Sequence, residues 1–133
     1  MLSVKNLCKE YKRGDKNFSA LNNVNLEIKS GDFTSIIGRS GSGKSTLLNI
    51  MAGMLSPSSG KIFFHGEDIS TKNDAELSRI RNDKIGFIPQ GASALPNLNV
   101  LENILLPSCL YHHDGNAENY ARSLLEKFWI TRL

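Results

Sequence analysis

An α/β fold is the class that this sequence predicts, on three observations. Residues 32–37 form a β-like run, a glycine-rich stretch follows at residues 38–46, and a helix-like run begins at residue 47. Upstream of this unit, apolar residues alternate with polar ones in two short runs, which favours an antiparallel β element. Downstream, strand-like and helix-like runs take turns, which favours a parallel sheet covered by helices.

The N-terminal part of the chain is predicted as two strands joined by a polar loop. The strands cover residues 2–7 and 21–28, and the loop covers residues 9–19 with Gly14-Asp15 as its turn. Tyr11 lies in this loop. Its aromatic ring either covers the edge of the core at a strand end or provides a stacking surface for a purine base.

The remaining predicted elements alternate between helix and strand. They are a helix over residues 46–54, a strand over 61–65, a helix after Asn73, a strand over 84–89, a helix after Asn99 and a helix over 118–129, whose apolar side carries Ala121, Leu124, Leu125 and Phe128. Each of the two asparagines is followed three residues later by a glutamate, which is the pattern of a capping box. Pro107 is expected to kink or end the helix after Asn99.

The stretch at residues 38–46 has the spacing and the strand–loop–helix context of a phosphate-binding P-loop, also called Walker A. Its glycines lack a Cβ, so the backbone can lie close against a ligand and turn its N–H groups into an anion-binding nest. The following helix adds the free N–H groups of its first turn. Lys44 supplies a mobile charge for the β- and γ-phosphates, and Ser45 supplies a hydroxyl for Mg²⁺.

The predicted nucleotide-binding residues share this loop, apart from one aromatic side chain. They are Tyr11, Gly38, Arg39, Ser40, Gly41, Ser42, Gly43, Lys44, Ser45 and Thr46. Arg39 and Ser40 are expected to contribute backbone contacts only. A glycine- and serine-rich turn that happens to contain a lysine is the structural alternative for the motif.

Composition narrows the class of partner. The chain has 133 residues, 40% of them hydrophobic, and a net charge of +3 that is spread along the sequence, so no basic run indicates nucleic-acid binding. Residues 1–5 lack the apolar core of a signal peptide and no apolar run approaches the length of a membrane span, so neither feature is expected. Cys8 and Cys109 fit no metal spacing and predict reduced thiols. The sequence His112-His113-Asp114 favours a solvated helix end over a metal site, because adjacent helical residues point in different directions.

The whole chain resembles the N-terminal part of an ATP-binding-cassette (ABC) transporter ATPase, in the macrolide-exporter and lipoprotein-release branch. The P-loop and Tyr11 carry part of this resemblance. The turn at residues 56–62 is similar to the "P-x-x-G-x-I" turn of the family, and Gln90 ends a predicted strand at the Q-loop position. Residues 95–107 are similar to the segment after the Q-loop in this branch. Pro89 differs, since the branch usually has a phenylalanine there.

The resemblance implies an ABC-type nucleotide-binding domain with an incomplete parallel core sheet, and it assigns roles. Tyr11 would stack on adenine, the P-loop would wrap the phosphates, and Ser45 and Gln90 would reach Mg²⁺. Lys44 and Gln90 would be catalytic, since Gln90 would also help to position the attacking water. The family implies ATP and Mg²⁺ as ligands. Its partners would be a separate transmembrane permease, reached through the loop after Gln90, and a second ATP-binding subunit.

The resemblance also implies a cytoplasmic protein on the inner face of the membrane without direct insertion. Residues 1–133 contain no Leu-Ser-Gly-Gly-Gln signature, no second strand ending in Asp-Glu and no switch histidine, so they are expected to be the N-terminal part of one ATP-binding domain. Because phosphoryl transfer depends on such positioning groups, this chain is expected to bind Mg-ATP without turning it over. The predicted strand before the P-loop would lack neighbouring strands, and its unpaired edges would lower the stability of the protein. Alternatives are another P-loop NTPase, such as a kinase, and a non-catalytic fragment.

Overall fold

The structure is a computed structural model that describes residues 1–91, 93–111 and 115–128. These residues divide into two compact units, Met1–Ile85 and Gly86–Leu133. The helices and strands in chain order are β1 (Leu2–Arg13), β2 (Lys16–Ile28), α1 (Lys44–Met51), β3 (Ser59–Phe64), β4 (Glu67–Asp68), α2 (Asp74–Lys84), α3 (Val100–Tyr111) and α4 (Ala117–Lys127).

The first unit is built on an antiparallel sheet with strand order β2-β1-β3-β4. The polar loop predicted at residues 9–19 is wrong, because β1 continues to Arg13 and β2 begins at Lys16. Only Gly14 and Asp15 lie between the paired ends, and Gly14 has a φ of 61°. A tight turn of this kind fixes the cross-strand register, so polar residues that resemble a loop in sequence pair as a hairpin.

Helix α1 packs on this sheet and holds the core of the first unit. Its buried residues Leu47, Ile50 and Met51 recur at helical spacing and therefore share one face. They form one cluster with buried strand residues that include Val4 and Leu7. The helix begins at Lys44 and ends at Met51, earlier at both ends than predicted. Since residue 44 belongs to the first turn, the packing of α1 also fixes the end of the glycine-rich loop.

Two predicted strands are wrong. Neither residues 32–37 nor residues 84–89 form a strand, and the described part of the chain contains no parallel strand pair. Phe33 is 99% exposed, Ile37 88% and Ile88 94%. A β-strand needs a neighbouring strand for its hydrogen bonds, and nothing within residues 1–91, 93–111 and 115–128 pairs with these runs.

The helices downstream of β4 follow the predicted capping signals. Asn73 and Glu76 form both bonds of a capping box at the start of α2, at 3.0 and 2.9 Å. Asn99 and Glu102 do the same before α3, at 2.9 and 2.8 Å. Pro107 does not end α3, which continues to Tyr111.

Helix α4 lies in the second unit and buries Ala121 and Leu125, as predicted. Phe128, predicted on the same apolar side, is instead 73% exposed just after the helix. The predictions for Trp129 and for residues 112–114 fall outside the described residues. In the part of the chain that the structure describes, no helix has the length and apolar character needed to cross a membrane.

Candidate functional site

The glycine-rich loop between residues 38 and 43 is held in a compact turn. The N–H of Ser42 donates to the carbonyl oxygen of Arg39 at 3.3 Å. Gly41, inside this turn, has a φ of 77°, and Gly43 has a φ of 90°. Both values lie in the left-handed region that side-chain-bearing residues disfavour, which explains why glycine occupies these positions.

Gly43 is also the point where the loop contacts the sheet. A Cβ on Gly43 would clash with the carbonyl oxygen of Ala20 and lie 3.0 Å from Cδ2 of Leu21. The loop backbone therefore rests directly on β2, with no room for a side chain between them. This contact and the packing of α1 together determine where the loop ends and the helix begins.

Lys44 folds back over the loop that precedes it. Its ammonium group Nζ donates to the carbonyl oxygens of Gly38 at 2.8 Å and Arg39 at 2.6 Å. A third, longer hydrogen bond reaches Oγ of Ser42 at 3.4 Å. A lysine ammonium has three donors, and these acceptors hold its charge within the loop. The loop thus carries a fixed positive charge beside its backbone N–H groups.

The start of α1 adds to this positive potential. The first intrahelical bond of α1 runs from the N–H of Leu47 to the carbonyl oxygen of Gly43, so the N–H groups before residue 47 have no helical acceptor. Residues 44–47 include no acidic side chain that would neutralise the positive helix end. This combination of N–H groups, helix dipole and ammonium group suits an anion such as a phosphate.

Ser45 and Thr46 lie in the first turn of α1, with Ser45 exposed and Thr46 half-buried. The Ser45 hydroxyl is a hard oxygen ligand of the type that Mg²⁺ accepts. Among the described residues, no cluster of three or more His, Cys, Asp or Glu side chains could hold a metal by itself. A magnesium ion here would therefore need phosphate oxygens and waters beside Ser45, which is how Mg²⁺ commonly binds.

Tyr11 lies on β1 and not in a loop. It is 41% exposed, and the ammonium group of Lys9 lies 5.3 Å from the centre of its ring. Its cross-strand partner is Phe18, which is 56% exposed. Phe18 was missed by sequence reasoning. A two-residue turn at Gly14-Asp15 would have placed it opposite Tyr11.

Gln90, the other predicted site residue, is exposed at a bend in the second unit, Gly86–Leu133. The remaining predicted residues lie in the first unit, and the structure brings Gly38, Arg39, Ser42, Gly43 and Lys44 into one hydrogen-bonded loop. Cys8 and Cys109 are both free thiols, as predicted.

Comparison with known proteins gives this loop a family context. A family model described as "ABC transporter" matches residues 21–132. The chain belongs to the ABC transporter ATP-binding family. The match begins in β2 and includes the P-loop, so the resemblance drawn from the sequence is confirmed.

Individual relatives agree with this family. The chain is 47% identical over 107 residues to the uncharacterized ABC transporter ATP-binding protein MJ0796 of Methanocaldococcus jannaschii, which covers 80% of this chain and 46% of the relative. It is 37% identical over 128 residues to the lipoprotein-releasing system ATP-binding protein LolD of Myxococcus xanthus, over 96% of this chain and 57% of the relative. The chain thus spans about half the length of these relatives.

A solved structure supports the fold class. The dimeric ATP-binding cassette MJ0796, in a post-hydrolysis state bound to ADP and Pi, superposes with a TM-score of 0.88 and 40% identity. The match covers 95% of this chain and 56% of the solved chain. The predicted α/β P-loop NTPase fold of the ABC type is confirmed, with the antiparallel element formed as an extended hairpin and further strands.

Proposed function

We propose that this chain binds ATP through its P-loop, as the ATP-binding part of a transporter that exports its substrate through a separate permease. The observation that carries the proposal is the Lys44 ammonium group, held within the loop by the carbonyl oxygens of Gly38 and Arg39. Because Lys44 is also the first residue of α1, this positive charge and the free N–H groups of the first helical turn belong to one short stretch of chain, an arrangement that suits a phosphate.

Most of the predicted site residues have a defined part in this proposal. The backbone of residues 38–43 wraps the phosphates, and Lys44 supplies charge to the β- and γ-phosphates. Ser45 holds Mg²⁺, which when bound would neutralise phosphate charge. Tyr11, an exposed aromatic on the hairpin that backs Gly43, stacks on the base. For Gln90 the proposed role, on Mg²⁺ and the attacking water, comes from the family resemblance and not from geometry.

Export through a permease is supported by the relatives, several of which are lipoprotein-releasing system ATP-binding proteins. In this proposal the chain works on the cytoplasmic face of the membrane, next to a transmembrane permease and a second ATP-binding subunit. The dimeric structure of MJ0796 supports the pairing of two such subunits. The second unit contributes exposed apolar residues for the permease, including Leu95, Val100 and Ile104.

The 133 residues by themselves are proposed to bind Mg-ATP without hydrolysing it. Phosphoryl transfer needs groups that orient water and stabilise charge on the γ-phosphate. The sequence contains neither the signature nor the Asp-Glu strand end that would supply them. A non-catalytic ATP-binding protein is therefore the second candidate for this chain.

Calorimetric titration with Mg-ATP tests the proposal, using the 133-residue chain and the variant Lys44→Ala. We expect the wild-type chain to bind and Lys44→Ala to lose most of the affinity, because charge-assisted hydrogen bonds to phosphate each contribute about 1.5–3 kcal/mol. Lys29→Ala is the matched control, since Lys29 is an exposed lysine outside the loop. Equal affinities for all three proteins would refute the proposed site.

Phosphate release is measured on the same samples. We expect the 133-residue chain to show no release of phosphate that depends on Lys44. Release that disappears in Lys44→Ala would show that the chain hydrolyses ATP and would refute the binding-only assignment, while leaving the phosphate site intact.

A further inference from the structure

The two exposed aromatic rings near the end of the β1–β2 hairpin form a surface that the P-loop motif does not account for. Tyr11 and Phe18 are directly paired across the strands, and directly paired residues project from the same face of a sheet. They are 41% and 56% exposed, so neither ring is taken up by the core. Together with Lys16 and Asn17 they line a shallow depression on the hairpin.

This depression lies close to the P-loop because β2, which carries Phe18, also contacts the loop. Ala20 and Leu21 of β2 contact Gly43, the last glycine of the loop. Phe18 precedes Ala20 by two residues, which is about 7 Å along a strand. The aromatic pair therefore lies about two residues along β2 from the point where the phosphate-binding loop contacts the strand, a separation that a single nucleotide can bridge.

The chemistry of the depression selects a planar ligand. The Tyr11 ring is held by the ammonium group of Lys9, 5.3 Å from its centre, and the same ammonium donates to the carbonyl oxygen of Ser56 at 2.8 Å. An anchored tyrosine beside a second aromatic ring presents a wide apolar surface with little freedom to lose on binding. Nucleobases of every kind stack on such surfaces, since every base has a π-face, and differences in stacking strength give modest preferences among them.

We propose that Phe18 is a second base-stacking residue, which with Tyr11 forms an aromatic platform for the base of a bound nucleoside triphosphate. This inference rests on the proposed ATP-binding function and extends it to a residue outside the P-loop. Because stacking follows ring area, the platform binds ATP and GTP alike and binds CTP more weakly.

The test compares two ligands on the 133-residue chain, Mg-ATP and magnesium-bound inorganic triphosphate, which has phosphates but no base. Loss of base stacking typically weakens binding by about 5- to 150-fold. We expect Phe18→Ala to weaken Mg-ATP binding within this range and to leave triphosphate binding unchanged. Phe18→Leu, which keeps an apolar side chain on the strand, should give an intermediate loss. Phe128→Ala, which removes a 73% exposed phenylalanine of the second unit, is the matched control and should bind as wild type.

The possible results distinguish a failure of this inference from a failure of the proposed ATP-binding function. If Phe18→Ala and Phe18→Leu bind Mg-ATP as wild type while triphosphate binding persists, Phe18 only stabilises the hairpin and the inference is wrong. If they weaken ATP and triphosphate equally, Phe18 acts through the loop, which also overturns the inference. If wild type binds triphosphate no better than Lys44→Ala does, the proposed phosphate site itself fails. Wild-type ATP and CTP affinities that are equal would overturn the stacking mechanism.

Discussion

Within the phosphate-binding loop, Gly43 is the residue at which an added methyl group should disturb the structure most. Its φ of 90° lies in the left-handed region, and an added Cβ would clash with the carbonyl oxygen of Ala20 in β2. Gly41 provides a comparison within the same loop. Its φ is 77°, but a Cβ there would meet nothing within 4 Å.

The two glycines therefore separate backbone strain from steric overlap. A left-handed conformation costs a residue with a Cβ about 1–2 kcal/mol, and this cost applies to Gly41→Ala and Gly43→Ala alike. Gly43→Ala adds an overlap with backbone that belongs to a paired strand and cannot move as a side chain would. Overpacking of this kind costs about 1–3 kcal/mol more. We expect losses of about 1–2 kcal/mol for Gly41→Ala and about 2–5 kcal/mol for Gly43→Ala.

Urea unfolding of the two variants, followed by circular dichroism, measures the difference in the free energy of unfolding. Gly43→Ala should have the lower midpoint, and it should bind Mg-ATP more weakly because relief of the clash moves the loop away from β2. Equal midpoints for the two variants would mean that the contact between Gly43 and Ala20 does not constrain the loop. That result would refute the argument that β2 positions the phosphate site.

Two further predictions concern positions outside the loop. Asn103→Ala should speed hydrogen exchange at the Leu95 amide, which donates to the Asn103 side chain at 2.6 Å, and leave exchange in α1 unchanged; unchanged exchange at Leu95 would contradict the assigned bond. Hydrogen bonds from Ser70, with a smaller contribution from Lys61, lower the pKa of Asp68 below its ordinary 3.8. The charged form of Asp68 therefore stabilises the folded state above pH 3.8, and this contribution is lost as the pH falls through the lowered pKa. Asp68→Asn should therefore flatten the acid side of a melting-temperature profile measured against pH, and an unaltered profile would show that Asp68 is not a source of that dependence.

Short sequence patterns predict those parts of this fold whose hydrogen bonds join residues that are close together in the chain. The capping boxes at Asn73 and Asn99 form as predicted, because each bond spans three residues. The hairpin end was predicted as a loop, since polar residues such as Lys12 and Asn17 lack the apolar alternation that marks a strand. Their pairing is set by the turn at Gly14-Asp15 and not by their own propensity.

Within the candidate site, too, the sequence predicts features that depend on neighbouring residues and misses those that depend on strand pairing. The spacing of glycines and Lys44 predicts a phosphate loop, because nest formation and the helix start depend on neighbouring residues. The bonds from Lys44 to Gly38 and Arg39 span only a few residues and agree with that prediction. The pairing of Tyr11 with Phe18 depends on strand register, so composition and periodicity gave no sign of Phe18.

Residues 32–37 show the limit of local prediction most clearly. Their sequence has the β-like character of a strand, yet they do not form one. Ordering a residue costs about 1–2 kcal/mol of backbone entropy, while differences in strand propensity amount to about 1 kcal/mol, so a strand without a partner is not stable. Helix α1 needs no such partner, because its hydrogen bonds are internal. The phosphate loop therefore depends on α1 and on the contact of Gly43 with β2, and much less on the segment that leads into it.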